Sequence, residues 1–115
     1  MIYIKSFEQI SKGVNGLVTT MDFSGKKLEY LPELPDTLLT LYCNNCGLKE
    51  LPNLPEGLRH LKCSNNNLSS LPELPKSIVE LRCYGNNLPY NNLIEYEEWY
   101  AKEYPERIAA KKYNL

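Results

Sequence analysis

Histidine and tryptophan occur once each in this 115-residue chain, and phenylalanine only twice. The lone histidine, His60, supports no Ser–His–Asp arrangement. A surplus of one charge is missing too. Thirteen Lys and Arg face fourteen Asp and Glu, a formal charge of −1. Phosphate binding requires a basic surplus, so the balance argues against nucleic acid as a partner. No stretch nears the ~18 apolar residues of a membrane span, so no membrane role is expected. The opening MIYIKSFEQI has no long apolar core behind a basic stretch, so a secretory signal is not expected and the chain reads as cytoplasmic. GxxxxGK[ST], HExxH and a glycine-rich phosphate cradle are all absent. Neither a cofactor nor an enzymatic activity is expected.

What is present is a repeat. Leucine supplies 19 residues and asparagine 12, a skew typical of periodic chains. Residues 31–50, 51–70 and 71–90 align without a gap as LPELPDTLLTLYCNNCGLKE, LPNLPEGLRHLKCSNNNLSS and LPELPKSIVELRCYGNNLPY. Six of the eight prolines fall in two columns, at 32, 52 and 72 and at 35, 55 and 75. Residues 17–30 read as a degenerate first coil that keeps apolar positions such as Val18, Met21, Phe23 and Leu28 without the prolines.

The local physics of a block follows from its residue types. Leu61-Lys62-Cys63 alternates inward, outward, inward, as a short strand does. Prolines at positions 2 and 5 remove backbone donors, so that half is neither helix nor central strand. It suits polyproline II, which turns Leu51 and Leu54 to the same side. Strands from stacked coils then pair in parallel, about 4.8 Å apart. The expected architecture is an α/β solenoid, a single domain over residues 1–115. Its parallel sheet lies on the concave face and its polyproline-like side is convex.

Each block carries L-x-x-L-x-C-x-x-N-x-L or a close variant, as in Leu58, Leu61, Cys63, Asn66 and Leu68. This pattern, with its LPxLP half, resembles the short twenty-residue subclass of leucine-rich repeat proteins. That subclass includes bacterial effectors of the Yersinia outer-protein and Shigella invasion-plasmid types, and similar repeats occur in proteins of amoeba-infecting giant viruses. The resemblance spans about residues 14–90 and implies a recognition module, with a host cytoplasm as its place if the chain is an effector or viral protein. In the effector family, ubiquitin-ligase activity belongs to a separate C-terminal domain whose catalytic Cys is followed two residues later by Asp. None of the four cysteines here has that Asp, and no domain is expected after residue 115.

Two columns invite chemical readings. Cys43-x-x-Cys46 taken locally suggests zinc or thiol redox chemistry. In register, Cys43 matches the core positions Cys63 and Cys83, while Cys46 takes the place of Asn66 and Asn86. A zinc site needs converging ligands, whereas a stacked column is a line, so the thiols read as structural and no metal is expected. Asn66 and Asn86 are read as an inward ladder that satisfies turn backbone groups of the neighbouring coil. Lys26 holds that place in the first coil, so the ladder is not expected to reach it. The sequon at Asn67 reads as accidental without a secretory route.

A stacked repeat needs covers at both ends. At the front, within a cap over residues 1–16, Met1–Lys5 suits an edge strand, and Ser6-x-x-Gln9 leads a short helix from Phe7 to about Lys12. Asn15-Gly16 marks a turn. Residues 91–115 read as a helical cap. Asn91 or Asn92 caps a helix from Leu93 to about Glu103, and Tyr96, Tyr100 and Tyr104 face the core. Pro105 opens a second helical segment that carries Ile108 inward. Glu95, Glu97 and Glu98 read as a solvated face.

The outward strand residues differ from coil to coil while the inward columns hardly change. Tyr and Arg dominate binding hot spots, which places the expected contact centre at Tyr42, His60, Lys62, Arg82 and Tyr84. The face covers roughly 300 Å². A stable interface takes about 800 Å² per partner. The expected function is non-enzymatic binding of another protein, with self-association as a structural homo-oligomer as the alternative.

Overall fold

The structure is a computed structural model that describes residues 11–14 and 16–112. Five strands form one sheet in chain order: β1 (Ser11–Val14), β2 (Leu17–Asp22), β3 (Thr40–Tyr42), β4 (His60–Lys62) and β5 (Glu80–Arg82). Two helices follow, α1 (Leu93–Glu103) and α2 (Pro105–Lys112). From β2 to β5 the sheet is parallel, and every step in register equals the twenty-residue period of the sequence. Met21, Leu41, Leu61 and Leu81 therefore lie in one row and are buried. Their neighbours Thr20, Thr40, His60 and Glu80 form a second row, and Asp22, Tyr42, Lys62 and Arg82 a third.

Each strand is short because its ends are fixed by the residues around it. The inward positions are Leu41, Leu61 and Leu81 within β3, β4 and β5 and Cys43, Cys63 and Cys83 just after them, all buried. The chain then turns through a left-handed residue: Gly25 (φ 78°), Asn45 (φ 56°), Asn65 (φ 58°) and Gly85 (φ 69°). Glycine and asparagine are the types that enter this region at least cost, which is why they share the column. The proline-rich leg carries neither helix nor strand and closes by a repeated turn. The carbonyls of Pro35, Pro55 and Pro75 accept from the N–H groups of Leu38, Leu58 and Ile78 at 3.2, 3.1 and 3.1 Å.

The core is one cluster running through the blocks, with Leu38, Leu41, Leu48, Leu58, Leu61 and Leu68 fully enclosed. Burying a leucine is worth about 1.5–3 kcal/mol, so this column drives folding. The first block belongs to the same core through Phe23 and Leu28, with Val18 packed against it.

The ends depart from the sequence reading in part. The expected edge strand at Met1–Lys5, and the expected helix from Phe7 to Ile10, lie outside the described residues. Ser11 and Lys12, assigned to that helix, are instead strand β1, antiparallel to β2 with a register shift between Lys12 and Gly13. The pairing Ser11↔Met21 and Val14↔Leu17 makes β1 and β2 an antiparallel pair, so backbone pairing with β2 overrides the local capping signal.

At the other end, Cys83 donates its N–H to the Asn91 carbonyl at 2.9 Å, and Arg82 bridges Asn92 in antiparallel sense. Asn92 caps α1, its Oδ1 accepting from the Glu95 N–H at 3.0 Å, while the Glu95 carboxylate accepts from the Asn91 N–H at 3.0 Å. Leu93, Tyr96 and Trp99 pack against the core, and beneath them Tyr90 is buried. The tyrosine stripe expected to face the core is thus corrected. Tyr96 does so, but Tyr100 and Tyr104 meet each other at a tilt with ring centres 4.9 Å apart, and Trp99 with Tyr90 supplies the remaining contact. Ile108, expected inward, is 40% exposed. Pro105 opens α2 as expected.

Candidate functional site

The outward face of the parallel sheet brings most of the expected contact residues together around a carboxylate. His60 Nδ1 lies 3.2 Å from Glu80 Oε1, and Arg82 Nε lies 3.2 Å from Glu80 Oε2. Lys62 Nζ stands 4.0 Å from Glu80 Oε1 and 5.4 Å above the centre of the Tyr42 ring. Glu80, which motif reasoning did not place in the contact centre, is the hub. Its signal was the register itself, because a lone acid one strand from His60 and beside two cations must pair with them.

Burial works to raise the Glu80 carboxyl's pKa, but the hydrogen bond with His60 and the charges of Lys62, Arg82 and His60 outweigh it and hold the group below its ordinary value. Two permanent cations meet one carboxylate here, so positive charge remains on β4 and β5. Tyr84 stands apart. Its side chain is about half exposed and joins no ion pair or ring contact among the described residues.

The third outward column is occupied by internal bonding. The Asn44 N–H donates to Ser24 Oγ at 3.1 Å, the Ser64 N–H to Asn44 Oδ1 at 2.7 Å, and the Tyr84 N–H to Ser64 Oγ at 3.1 Å. These side chains tie each block to the next, which leaves the rows through His60 and Lys62 as the free part of the face.

Behind the face, Asn66 and Asn86 bond across blocks in the same way. Asn66 Oδ1 accepts from the N–H groups of Cys46 and Leu48 at 2.9 and 3.1 Å, and its Nδ2 donates to the carbonyls of Cys43 and Cys63 at 2.8 and 3.0 Å. Asn86 Oδ1 accepts from Asn66 and Leu68 at 3.2 and 3.0 Å. Cys46 holds the equivalent place one block earlier. Its thiol donates to the Phe23 carbonyl at 3.1 Å, while the Leu28 N–H turns to the Cys46 backbone carbonyl at 2.9 Å.

All four cysteines are free and buried. Burial pushes the Cys43 and Cys63 thiols far up, and neighbouring thiols add to it. Burial raises Cys83 to about 12, helped by the charge of Glu95. Cys46 is also raised by burial, against the lowering effect of the Lys26 and Gly25 N–H groups. Such thiols are poor nucleophiles. Among the described residues, no three His, Cys, Asp or Glu side chains are grouped as a metal site requires.

The row Thr40–His60–Glu80 has the residue types of a nucleophile, a base and an orienting acid. No hydrogen bond joins Thr40 to His60 among the described residues, and the surrounding strand N–H groups pair within the sheet. The arrangement gathers charged groups and an aromatic ring on the outward side of the sheet. No helix among the described residues is long and apolar enough to cross a membrane. Compared with known proteins, the chain matches no family model, no curated protein and no solved structure.

Proposed function

We propose that this chain is a short leucine-rich repeat solenoid that binds another protein, without catalysis, through the concave face of its sheet. The observation that carries this reading is the contrast between the two faces. The buried positions repeat as Leu41, Leu61 and Leu81 and as Cys43, Cys63 and Cys83, whereas the outward rows change at each step from β3 to β5 and gather His60, Lys62 and Arg82 on Glu80. A face that only kept the sheet soluble would not need a shared carboxylate holding two cations and a histidine in place. The proline-rich legs form the convex side, and α1 with Trp99 caps the last repeat. The setting we propose is cytoplasmic, a host cytoplasm for an effector or viral protein.

The test compares the parent chain with Tyr42→Ala/Arg82→Ala and with Asn66→Ala in capture from a host lysate, followed by titration of whatever the parent captures. Arg82 is exposed and Tyr42 half-buried on the outward face, and surface changes usually shift stability by no more than about 0.5 kcal/mol, so the double variant should melt close to the parent. Its partner should bind at least about tenfold more weakly, since hot-spot truncations cost about 2 kcal/mol or more. Asn66→Ala should do the reverse, lowering the melting point and sparing affinity once folded. Equal binding by the double variant and the parent would remove the sheet face from consideration.

A further inference from the structure

Resting on that reading, we infer that the sheet face takes an extended peptide segment bearing a carboxylate at one end and a cation at the other. The carboxylate seats on Lys62 and Arg82, and the cation seats on Asp22. The size of the face comes first. Roughly 300 Å² of sheet suits a single strand of peptide laid across it better than a folded partner, whose interface takes about 800 Å² per side.

Charge gives the segment its direction. The row Asp22–Tyr42–Lys62–Arg82 runs from an acid through an aromatic ring to two cations, one residue per strand. Glu80 meets Arg82 at Nε, the inner nitrogen, at 3.2 Å, and the Arg82 side chain is 59% exposed. Its terminal nitrogens are therefore left for an incoming carboxylate, which guanidinium recognises in forked geometry. Lys62 lies 5.4 Å over the Tyr42 ring and 4.0 Å from Glu80, which holds its ammonium on the face one strand from Arg82. At the far end Asp22 Oδ1 accepts from the Ser24 N–H at 2.9 Å, which fixes the carboxylate in place.

The spacing matches an extended chain. Strands about 4.8 Å apart put Asp22 and Arg82 about 14 Å apart, and residues i and i+4 of an extended peptide, which share a side, lie about 13 Å apart. The face thus selects a pattern with opposite charges four residues apart.

The experiment titrates the isotope-labelled full chain by NMR with three end-blocked pentapeptides of serine. One carries lysine first and glutamate fifth, one carries glutamate at both positions, and one carries lysine at both. The lysine–glutamate peptide should shift the amides around Asp22, Tyr42, Lys62 and Arg82 and bind at least fivefold more tightly than either of the others. Arg82→Gln, which stays folded as judged by its melting point, should lose that preference. Asp22→Asn should raise the affinity of the double-glutamate peptide. Equal binding of all three peptides, no binding, or shifts confined to other surfaces would overturn the inference. Shifts at Asp22 and Arg82 that grow with protein concentration alone would overturn it as well, in favour of a second copy on the face. If the peptides fail while Tyr42→Ala/Arg82→Ala still abolishes a captured partner, the binding module stands and only its peptide chemistry is wrong.

Discussion

Cys46 Sγ lies 3.1 Å from the Phe23 carbonyl oxygen, and one block later Asn66 Nδ2 makes the matching contact with the Cys43 carbonyl at 2.8 Å. The thiol copies the donor half of the amide. It cannot copy the acceptor half, and so the Leu28 N–H uses a backbone carbonyl instead.

The two positions should therefore respond differently to truncation. Asn66→Ala leaves the Cys46 and Leu48 N–H groups and two carbonyls short of partners, and each unsatisfied buried group costs about 1–3 kcal/mol. Cys46→Ala removes one weak donor and a little apolar volume, a loss of about 1 kcal/mol. Urea unfolding of the two variants measures the order. A Cys46→Ala cost equal to or above that of Asn66→Ala would refute the bonding scheme.

The thiols should label only when the chain opens. Burial raises the Cys83 thiol to about 12 and shifts Cys43 and Cys63 further in the same direction, so the reactive thiolate is scarce at pH 8. A thiol reagent added to the native chain should react at the unfolding rate, and at once in denaturant. Rapid labelling of all four without denaturant would contradict the buried column.

Much of this architecture is readable from the residues because the period repeats its physics. Leu61, Cys63 and Leu68 recur often enough that one block checks another, and the observed register follows the same twenty-residue step. The parts that repeat less were read less well. Ser11 and Lys12 carry a helix-capping signal nearby, but β2 supplies backbone partners for them. Tyr100 and Tyr104 share the spacing of Tyr96, yet the core ends before the helix does, and Trp99 lies on the packed side. Ser24, Asn44 and Ser64 alternate outward like their neighbours, and only the structure shows that each accepts a bond from the next block. Glu80 was visible as an outward residue, but its part as hub depends on side-chain reach between strands.

Acid should dissolve that hub. The Glu80 carboxyl is held below its ordinary 4.5 in the folded chain, so its contribution to stability is complete above that value and fades as pH falls through the lowered one. Because the partners are partly exposed, the contribution stays below about 1 kcal/mol. Glu80→Gln should lie slightly below the parent in stability at pH 7 and match it at pH 2, when both are measured by urea unfolding in low salt. A gap that persists unchanged at pH 2 would show that something other than the carboxylate's charge separates them.

The tail carries the largest expected effect. Tyr90 is 2% exposed and meets Tyr96 edge-on at 5.0 Å and Trp99 at 5.1 Å. Removing a buried aromatic ring costs about 3–5 kcal/mol, so Tyr90→Ala should lower stability by that order. Tyr100→Ala acts on the outer stack with Tyr104 and Arg107 and should cost about 1 kcal/mol or less. Trp99 is the sole tryptophan, so its emission follows this contact directly. It should redden in Tyr90→Ala before the far-ultraviolet signal of the chain is lost. Deleting residues 93–115 uncovers Tyr90 and Leu88 together, and an apolar end of that kind should aggregate. A truncated chain that remains monomeric and melts with the parent would mean that the helices are not a cover for the core. Their aromatic face would then be the better candidate for docking, because its packing would not be needed for folding.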